Sequence, residues 1–150
     1  MKKAISRSIK TISFLFLFFF GQCKKEKEML TITLYDKPLE TIQSHIQGKW
    51  KCHYGKGGIM ANMVQYYNNV YWEFTSSNRV KVTNNGAAIA DTTIRWYKDK
   101  GTYTNGDSTF IMQFYDKQNV PSTYVVERII NDTLIIHDNS ADAVFYHFTK

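Results

Sequence analysis

The side chains able to carry chemistry in this 150-residue chain are four histidines, two cysteines and thirteen acidic residues. A metal site requires histidine, cysteine or carboxylate ligands that converge on one point. His137 and His147 fall on neighbouring predicted strands about three residue pairs apart, which is roughly 10 Å at the rise of a strand and too far for one ion. Both of them, together with His45 and His53, are therefore predicted to lie at the surface, and no metal ligand or cofactor is expected.

Groups for acid–base or nucleophilic catalysis are also poorly placed. Cys52 has no histidine on its own face of a strand, because the neighbouring His53 points to the opposite face. Glu73 and Glu127 could serve as glycosidase carboxylates, but both alternate with other polar residues and are predicted to face outward. The sequence contains no Gly-x-Ser-x-Gly stretch, phosphate loop or His-Glu-x-x-His motif. We therefore expect no catalytic residue and no enzymatic activity.

The first residues predict an export signal. The stretch MKKAISRSIK is basic, and the apolar run ISFLFLFFFG after it spans about ten residues, half of the ~20 that an α-helix needs to cross a bilayer. A basic head and a short apolar run are typical of a secretory signal peptide, here residues 1–22. Cys23 follows the run and resembles the cysteine that is lipidated in bacterial lipoproteins, although Gln22 stands where such signals usually carry a small residue.

That resemblance implies a protein of the cell envelope, lipid-anchored through Cys23 to a bacterial membrane and either periplasmic or surface-exposed. An uncleaved anchor and cleavage at another site remain as alternatives. Residues 23–37 include the stretch KKEKE and predict a solvated tether, and residues 38–150 suffice for one domain. With Cys23 lipidated, Cys52 has no disulfide partner, so a hydrophobic core must stabilise the domain.

The charge of the predicted mature chain gives no reason to expect nucleic-acid binding. The full chain carries 19 basic and 13 acidic residues, and the predicted signal peptide contains four of the basic residues and no acidic one. The mature chain therefore has 15 basic against 13 acidic residues, a net charge of +2. A nucleic-acid-binding domain needs a basic patch, and none is evident.

The hydrophobic period predicts one short helix and about eight strands. Leu39, Ile42 and Ile46 follow the spacing of a helix. From Gly48 the period changes to two, as in half-buried antiparallel strands. The strand candidates are GKWKCHY, VYWEFT, NRVKVT, TTIRWYKDKGTYT with Gly101 as a bulge, STFIMQFYD, STYVVERII, TLIIHD and AVFYHFT. Short turns rich in Asn and Gly join them. The prediction is an all-β domain, an eight-stranded antiparallel up-and-down barrel whose closure removes exposed sheet edges.

The order of helix, Gly48-Lys49-Trp50 and meandering strands resembles the lipocalins, and more closely the small lipocalin-like domains of bacterial surface lipoproteins. The stretch NNVYWEFTSSNRVKVTNNG is similar to the second and third strands of those domains, and the resemblance covers roughly residues 39–150. It implies that Gly48 lets the chain turn into the barrel and that Trp50 closes the barrel floor.

Two features of the larger lipocalins are missing from the chain, a Thr-Asp-Tyr triplet and a C-terminal helix after the last strand. In that family an arginine late in the chain packs on the floor tryptophan. Arg128 is the nearest counterpart, but the motif around it is absent, so the role is not assigned to it.

The segment Gly55–Asn69 has no strand period. Its three glycines predict flexibility, and Met60 and Met63 predict a soft, adaptable apolar surface. In lipocalins the first long loop lies at the open end of the barrel and acts as a lid. The sequence equally allows an ordinary connection between two strands.

Two classes of function remain open. In the first, which the resemblance favours, the barrel holds a small apolar or amphipathic ligand. The residues on the inward register that would line it are Cys52, Tyr54, Trp72, Phe74, Trp96, Phe110, Met112, Phe114, Ile136, Tyr146 and Phe148. In the second, the barrel is filled by its own side chains and a protein partner binds outside, as for an inhibitor, immunity or assembly lipoprotein. The outward aromatic residues Tyr71, Tyr97, Tyr115 and Phe145 favour such an interface.

Overall fold

The computed structural model describes residues 29–60 and 63–150, so the predicted signal peptide and Cys23 lie outside the described residues. The described chain forms one helix, α1 (Leu39–Ile46), and ten strands. The strands are β1 (Ile32–Thr33), β2 (Gly48–Gly57), β3 (Val64–Phe74), β4 (Arg79–Asn84), β5 (Ala87–Thr93), β6 (Arg95–Lys100), β7 (Ser108–Tyr115), β8 (Pro121–Ile130), β9 (Thr133–Asp138) and β10 (Val144–Thr149). Within this part of the chain, no helix has the length and apolar character needed to span a bilayer.

The strands form one antiparallel sheet that curls into a half-barrel. The path through the sheet is β5-β4-β3-β2-β10-β9-β8-β7-β6, and β1 pairs with the end of β8. Most neighbours are consecutive in the chain, and β2 also pairs with β10, the last strand. The prediction of an all-β, antiparallel, up-and-down sheet is therefore confirmed.

The sheet path leaves β5 and β6 as its two edges, in place of the closure of eight strands that the sequence predicted. Ile94 is the single residue between β5 and β6, whereas a hairpin connection needs about two. The Ile94 side chain is buried in the core and its N–H donates to Asn78 O at 2.9 Å, so Ile94 extends the pairing of β5 with β4, and β6 starts without pairing to β5. Lys117 N donates to Ile89 O at 3.0 Å and joins the loop after β7 to β5.

The main core lies on the inner face of the curled sheet, and α1 covers one end of it. The helix begins after Pro38, and the predicted spacing of three and four places Ile42 and Ile46 against the core. Gly48 then has a φ of +110°, a conformation that L side chains rarely adopt. This glycine lets the chain turn from the helix directly into β2.

Trp50 lies at the same end of the core. Its side chain is 3 % exposed, and its Nε1 donates to Ile46 O at 2.6 Å, which ties the ring to the last residue of α1. The cation over the indole ring is Lys150, with Nζ 4.7 Å from the ring centroid. Arg128 is instead paired with Glu127.

The predicted loop Gly55–Asn69 is mostly strand, because β2 and β3 are both longer than the sequence suggested. Lys56 pairs with Val64, so only residues 58–63 connect the two strands. Gly55 continues β2 at a crowded point, where a Cβ atom would lie 2.7 Å from Val144 Cγ1. The glycine that suggested a flexible loop is therefore required by close packing within the sheet.

A second, smaller buried layer lies on the outer face of the sheet. β6 ends at Lys100, and residues 101–107, here called the outer strap, fold back over that face instead of continuing a long strand through Gly101. Thr102 N and Oγ1 both donate to Asn139 Oδ1, at 2.8 and 2.6 Å, and Tyr103 Oη donates to Ala141 O at 2.8 Å. The side chains buried in this layer, outside the main core, are Thr104, Thr109, Ile111, Val125, Ile135, His137 and Ala143.

Candidate functional site

A cavity of about 260 Å³, here called the inner cavity, lies on the inner face of the half-barrel. It is lined by Cys52, Tyr67, Val70, Trp72, Val82, Asn84, Ile89, Ala90, Phe114, Asp116, Ser122, Tyr124 and Tyr146. Three polar residues, Asn84, Asp116 and Ser122, stand near the turns that join β4 to β5 and β7 to β8. The cavity therefore combines an apolar wall with a polar rim at the end of the sheet remote from Trp50.

Trp72 is the centre of the aromatic wall. Its ring meets Tyr124 at 5.0 Å and 79° and Phe114 at 5.5 Å and 83°, both edge to face. Phe114 and Tyr124 are stacked on each other at 5.3 Å and 20°, and Phe148 contacts Trp72 from the core at 5.3 Å. These are the favoured arrangements of aromatic pairs, so each ring is packed against at least one other ring of the wall.

Three tyrosines bring phenol groups into this apolar wall. The ring of Tyr146 lies 6.2 Å from that of Tyr67 and 6.3 Å from that of Tyr124. Burial raises the pKa of Tyr146, and the neighbouring phenols of Tyr124 and Tyr67 raise it further. Burial also raises the pKa of Tyr124 and of Tyr67. The phenols therefore stay neutral near pH 7 and offer hydrogen bonds to a bound molecule.

Cys52 contributes an apolar surface to the same wall. It is 1 % exposed, and burial raises the pKa of its thiol from 9.0 to about 12. Because the thiolate is the nucleophilic form and the metal-binding form, this cysteine is suited to neither role. In the part of the chain that the structure describes, no group of three or more His, Cys, Asp or Glu side chains is placed to hold a metal ion.

The residues predicted to line a ligand site fall in different places. Those on the inner cavity are Cys52, Trp72, Phe114 and Tyr146. Those packed in the surrounding core are Phe74, Met112, Ile136 and Phe148, with Phe110 partly buried against it. Trp96 is beside α1, where its Nε1 donates to Asn78 Oδ1 at 2.7 Å.

Tyr54 lies on the outer face, so its predicted inward orientation is wrong. Its ring is stacked on that of His147 at 4.3 Å and 17°. The pairing of β2 with both of its neighbours shifts between Cys52 and Tyr54. Against β10 the extra residue is His53, whereas against β3 residues 67–69 stand opposite His53 alone. A β-bulge of this kind reverses the alternation of faces beyond it, so Tyr54 no longer follows Cys52.

The inner cavity is also lined by residues that were not predicted from the sequence, among them Tyr67, Asn84 and Tyr124. Tyr124 alternates with the core residue Val126 in β8, so the period of two contained the signal that places it inside. Tyr67 precedes a break in the pairing of β3 at Asn69, whose φ is +58°. No period in the sequence predicts the face of a residue beyond such a break.

His137 is fully buried on the outer face, so the prediction of a surface histidine is wrong at this position. Its ring contacts Phe145 at 4.9 Å and Tyr103 of the outer strap at 5.9 Å, and its Nδ1 is 2.9 Å from Asp138 O. Strand alternation correctly indicates the outer face, but it contains no information about a loop that covers that face.

No protein-family model, curated protein or solved structure matches the chain. The likeness to lipocalins therefore remains a prediction from the Gly48–Trp50 motif and the order of strands. The geometry of the inner cavity is the basis for a functional assignment.

Proposed function

We propose that the protein is a lipocalin-like binding protein, anchored to the cell envelope through Cys23, that holds one small, neutral and largely apolar molecule in the inner cavity. The observation that carries the proposal is the cavity itself, about 260 Å³ walled by interlocked aromatic rings. Small-molecule sites in proteins are mostly apolar clefts with a few well-placed polar groups. The inner cavity has both, with three phenols in the wall and polar residues at the rim.

Size and charge narrow the class of ligand. A cavity of about 150 Å³ lined by apolar side chains accommodates benzene, so the inner cavity suits a compact molecule of one or two rings. The neutral phenols of Tyr67, Tyr124 and Tyr146 would donate to a carbonyl, ether or hydroxyl oxygen. The carboxylate of Asp116 at the rim disfavours an anion.

The position of the first described residues supports an anchored carrier. Leu30 N donates to Asp132 Oδ1 at 3.0 Å and Asp132 N donates to Leu30 O at 3.1 Å, so the chain enters at the turn between β8 and β9. The rim residue Ser122 stands at the other end of the ten-residue strand β8, about 30 Å away at the rise of a strand. An anchor at Cys23 would leave the mouth of the inner cavity pointing away from the membrane.

The binding proposal is tested by titrating the purified full-length protein with indole as a neutral probe. The side-chain methyl resonances of Val82 and Ala90, both on the inner cavity, report occupancy by NMR. We expect saturable shifts of these resonances, and a dissociation constant at least about tenfold higher in Ala90→Leu, because the added atoms occupy the space of the probe. Native mass spectrometry of the protein would show any molecule that co-purifies.

Ala88→Leu is the matched control for that experiment. Ala88 is two residues from Ala90 on β5, pairs with Thr83 and is absent from the lining of the inner cavity. The proposal fails if indole and other neutral one- and two-ring probes leave the Val82 resonance unchanged. It also fails if Ala88→Leu and Ala90→Leu weaken indole binding equally.

The anchor is tested separately by Cys23→Ser. Because a single lipidated residue would hold the domain on the membrane, we expect the variant to leave the membrane fraction or to accumulate as an unprocessed precursor. Identical fractionation and gel mobility of the wild-type and variant chains would contradict lipidation at Cys23.

The β2–β3 connection supports a second candidate function, the binding of a protein partner by an inhibitor, immunity or assembly lipoprotein. Ile59 is 90 % exposed and Met60 is 71 % exposed, and exposed apolar clusters often mark interaction sites. A protein from the envelope fraction that the wild-type chain enriches and the Ile59→Ser/Met60→Ser variant loses would favour this function, provided that indole fails to bind.

A further inference from the structure

A second cavity of about 380 Å³, here called the outer cavity, lies on the outer face of the sheet. Its apolar walls come from β9, β10 and the outer strap, chiefly Ile135, Phe145 and Tyr103. The titratable side chains in its lining other than Tyr103 are Lys56, Arg128 and His147. Among the described residues that line it, none is acidic, in contrast to the inner cavity with Asp116.

Two β-bulges direct polar groups toward the outer cavity. In β8 the extra residue is Glu127, so the side chain of Arg128 faces outward beside Ile135. In β2 the bulge turns Lys56 outward, where it pairs with Phe145 and lines the cavity. It also turns Tyr54 outward, and the ring of Tyr54 stacks on the imidazole of His147. Bulges are common next to functional sites because they redirect a side chain without ending the strand.

The aromatic wall of the outer cavity depends on a strained residue. Tyr103 has a φ of +64°, a conformation that is rare for a bulky side chain. Its hydroxyl donates to Ala141 O at 2.8 Å and its ring meets Phe145 at 5.3 Å and 74°, yet the residue remains 57 % exposed. Backbone strain of this kind concentrates at binding sites, and here it positions a ring over an open cavity.

The two cationic side chains of the outer cavity, Lys56 and Arg128, share its lining with the imidazole of His147. Arg128 and His147 both pair with Ile135, from opposite sides, and Lys56 lines the same cavity. Burial lowers the pKa of His147, and the positive charges of Lys56 and Arg128 lower it further. Glu127 pairs with Arg128 and offsets one of these charges. A ligand that carries a negative charge would replace the missing second counter-charge.

We propose that the outer cavity binds a small amphipathic anion. Its carboxylate or phosphate group would contact Lys56, Arg128 and His147, and a compact apolar body of about one aromatic ring would lie against Phe145 and Tyr103. This site is separate from the inner cavity and does not depend on the function proposed for it. The two cavities differ in the charge of the molecule that each would hold.

Four probes separate the contributions to binding at the outer cavity of the full-length protein. Benzoate and phenyl phosphate carry the two anionic groups on one ring, benzamide is the neutral counterpart of benzoate, and inorganic phosphate lacks the ring. We expect at least one aromatic anion to shift the NMR resonances of His147 and Ala143 and to bind at least about tenfold more tightly than benzamide and inorganic phosphate. The ratio between benzoate and phenyl phosphate then identifies the preferred anionic group.

Lys56→Gln tests the charge with little risk to the fold, because Lys56 is exposed. We expect it to weaken binding of the aromatic anion about three- to fivefold, as for a charge at a partly solvated contact. Lys51→Gln makes the same change on the same strand, outside the cavity lining, and should leave the affinity unchanged. Arg128 is not substituted, because its removal would leave the Glu127 carboxylate without its ion-pair partner.

Three results would overturn the proposal. The first is equal binding of benzamide and the aromatic anions, which would show that the negative charge of the ligand does not contribute to its affinity. The second is a set of shifts confined to Val82 and Ala90, which would place the anion in the inner cavity. The third is equal affinity of wild-type protein and Lys56→Gln for the anion.

Discussion

The two faces of one sheet carry cavities of opposite character. On the inner face, Trp72 and its aromatic neighbours surround a cavity whose phenols and thiol are held neutral by burial. On the outer face, Lys56, Arg128 and His147 surround a cavity whose lining carries positive charge. The inner wall comes mainly from regular strands, whereas the outer cavity depends on two bulges and a strap.

This difference shows how one β-sheet can support two kinds of site. Alternation of apolar and polar residues builds a face that is uniformly apolar, so a cavity left in it suits a neutral ligand. Charged groups point away from that face into solvent, and they converge only where the strand is irregular or a loop covers them. The bulge at Glu127 and the strap residue Tyr103 create such a place on the outer face.

The largest expected contrast between the faces is in stability. Trp50 is 3 % exposed at the end of the inner core and is tied to α1 by its indole N–H. Removal of a buried aromatic side chain costs about 3–5 kcal/mol of unfolding free energy, so Trp50→Ala should lower stability by this amount in urea unfolding. Tyr103→Ala, which removes a half-exposed ring from the outer strap, should cost about 1 kcal/mol or less.

Tyr115→Ala is the control for the stability experiment. Tyr115 lies at the end of β7 and is 41 % exposed, so its loss should change the unfolding free energy by no more than about 0.5 kcal/mol. Equal losses for Trp50→Ala and Tyr115→Ala would mean that the Gly48-Lys49-Trp50 motif has no special place in the fold.

The sequence predicted the regular part of the inner face, but it did not predict the features that depend on a bulge or on a covering loop. Alternation placed Trp72, Phe114 and Tyr146 on one side of the sheet, and all three line the inner cavity. It failed at Tyr54, because a bulge is set by pairing with two other strands and not by local composition. It failed at His137, because the covering strap comes from a segment that was predicted to be strand.

The open edges at β5 and β6 could not be predicted from the sequence, for a related reason. The residues of β5 and β6 have the composition of strands, but whether they pair with each other depends on Ile94 between them. The side chain of Ile94 is buried in the core, and its N–H donates to Asn78 O, which extends the pairing of β4 with β5 by one residue. A hairpin signal of Asn and Gly is missing at this point, and its absence was the one local indication that the barrel would open here.

The second contrast concerns the reactivity of the inner wall. In a Cys23→Ser chain, Cys52 is the one remaining thiol. Burial raises its pKa from 9.0 to about 12, which lowers the thiolate fraction at pH 8 about a thousandfold, since each pKa unit is a factor of ten. We expect a bulky maleimide to react with the folded protein at least about a hundredfold more slowly than with the unfolded protein.

A small methanethiosulfonate reagent sharpens this experiment. If solvent enters the inner cavity, the small reagent should modify folded Cys52 faster than the maleimide does, and indole should slow it. Ser76→Cys, at an exposed turn between β3 and β4, supplies a thiol that both reagents should reach. Rapid reaction of Cys52 with the maleimide in the folded state would show that this residue does not face the core.

The smallest expected effect is the pH dependence contributed by the outer cavity. Burial, together with Lys56 of β2 and Arg128 of β8, holds the pKa of His147 below its ordinary value of 6.5. The unfolded chain therefore binds more protons than the folded chain between the two pKa values, so the stability from neutral His147 is complete above pH 6.5 and is lost as pH falls toward the folded pKa. His147→Gln removes this contribution to stability, and its melting temperature should fall less than that of the wild type between pH 7 and pH 5.

His45→Gln, on α1, is the control for loss of an imidazole. An anion in the outer cavity would favour protonated His147, so saturating benzoate should also reduce the fall in the wild type but not in His147→Gln. Equal falls in the wild type and His147→Gln would contradict a link between this histidine and the positive charge of the outer face.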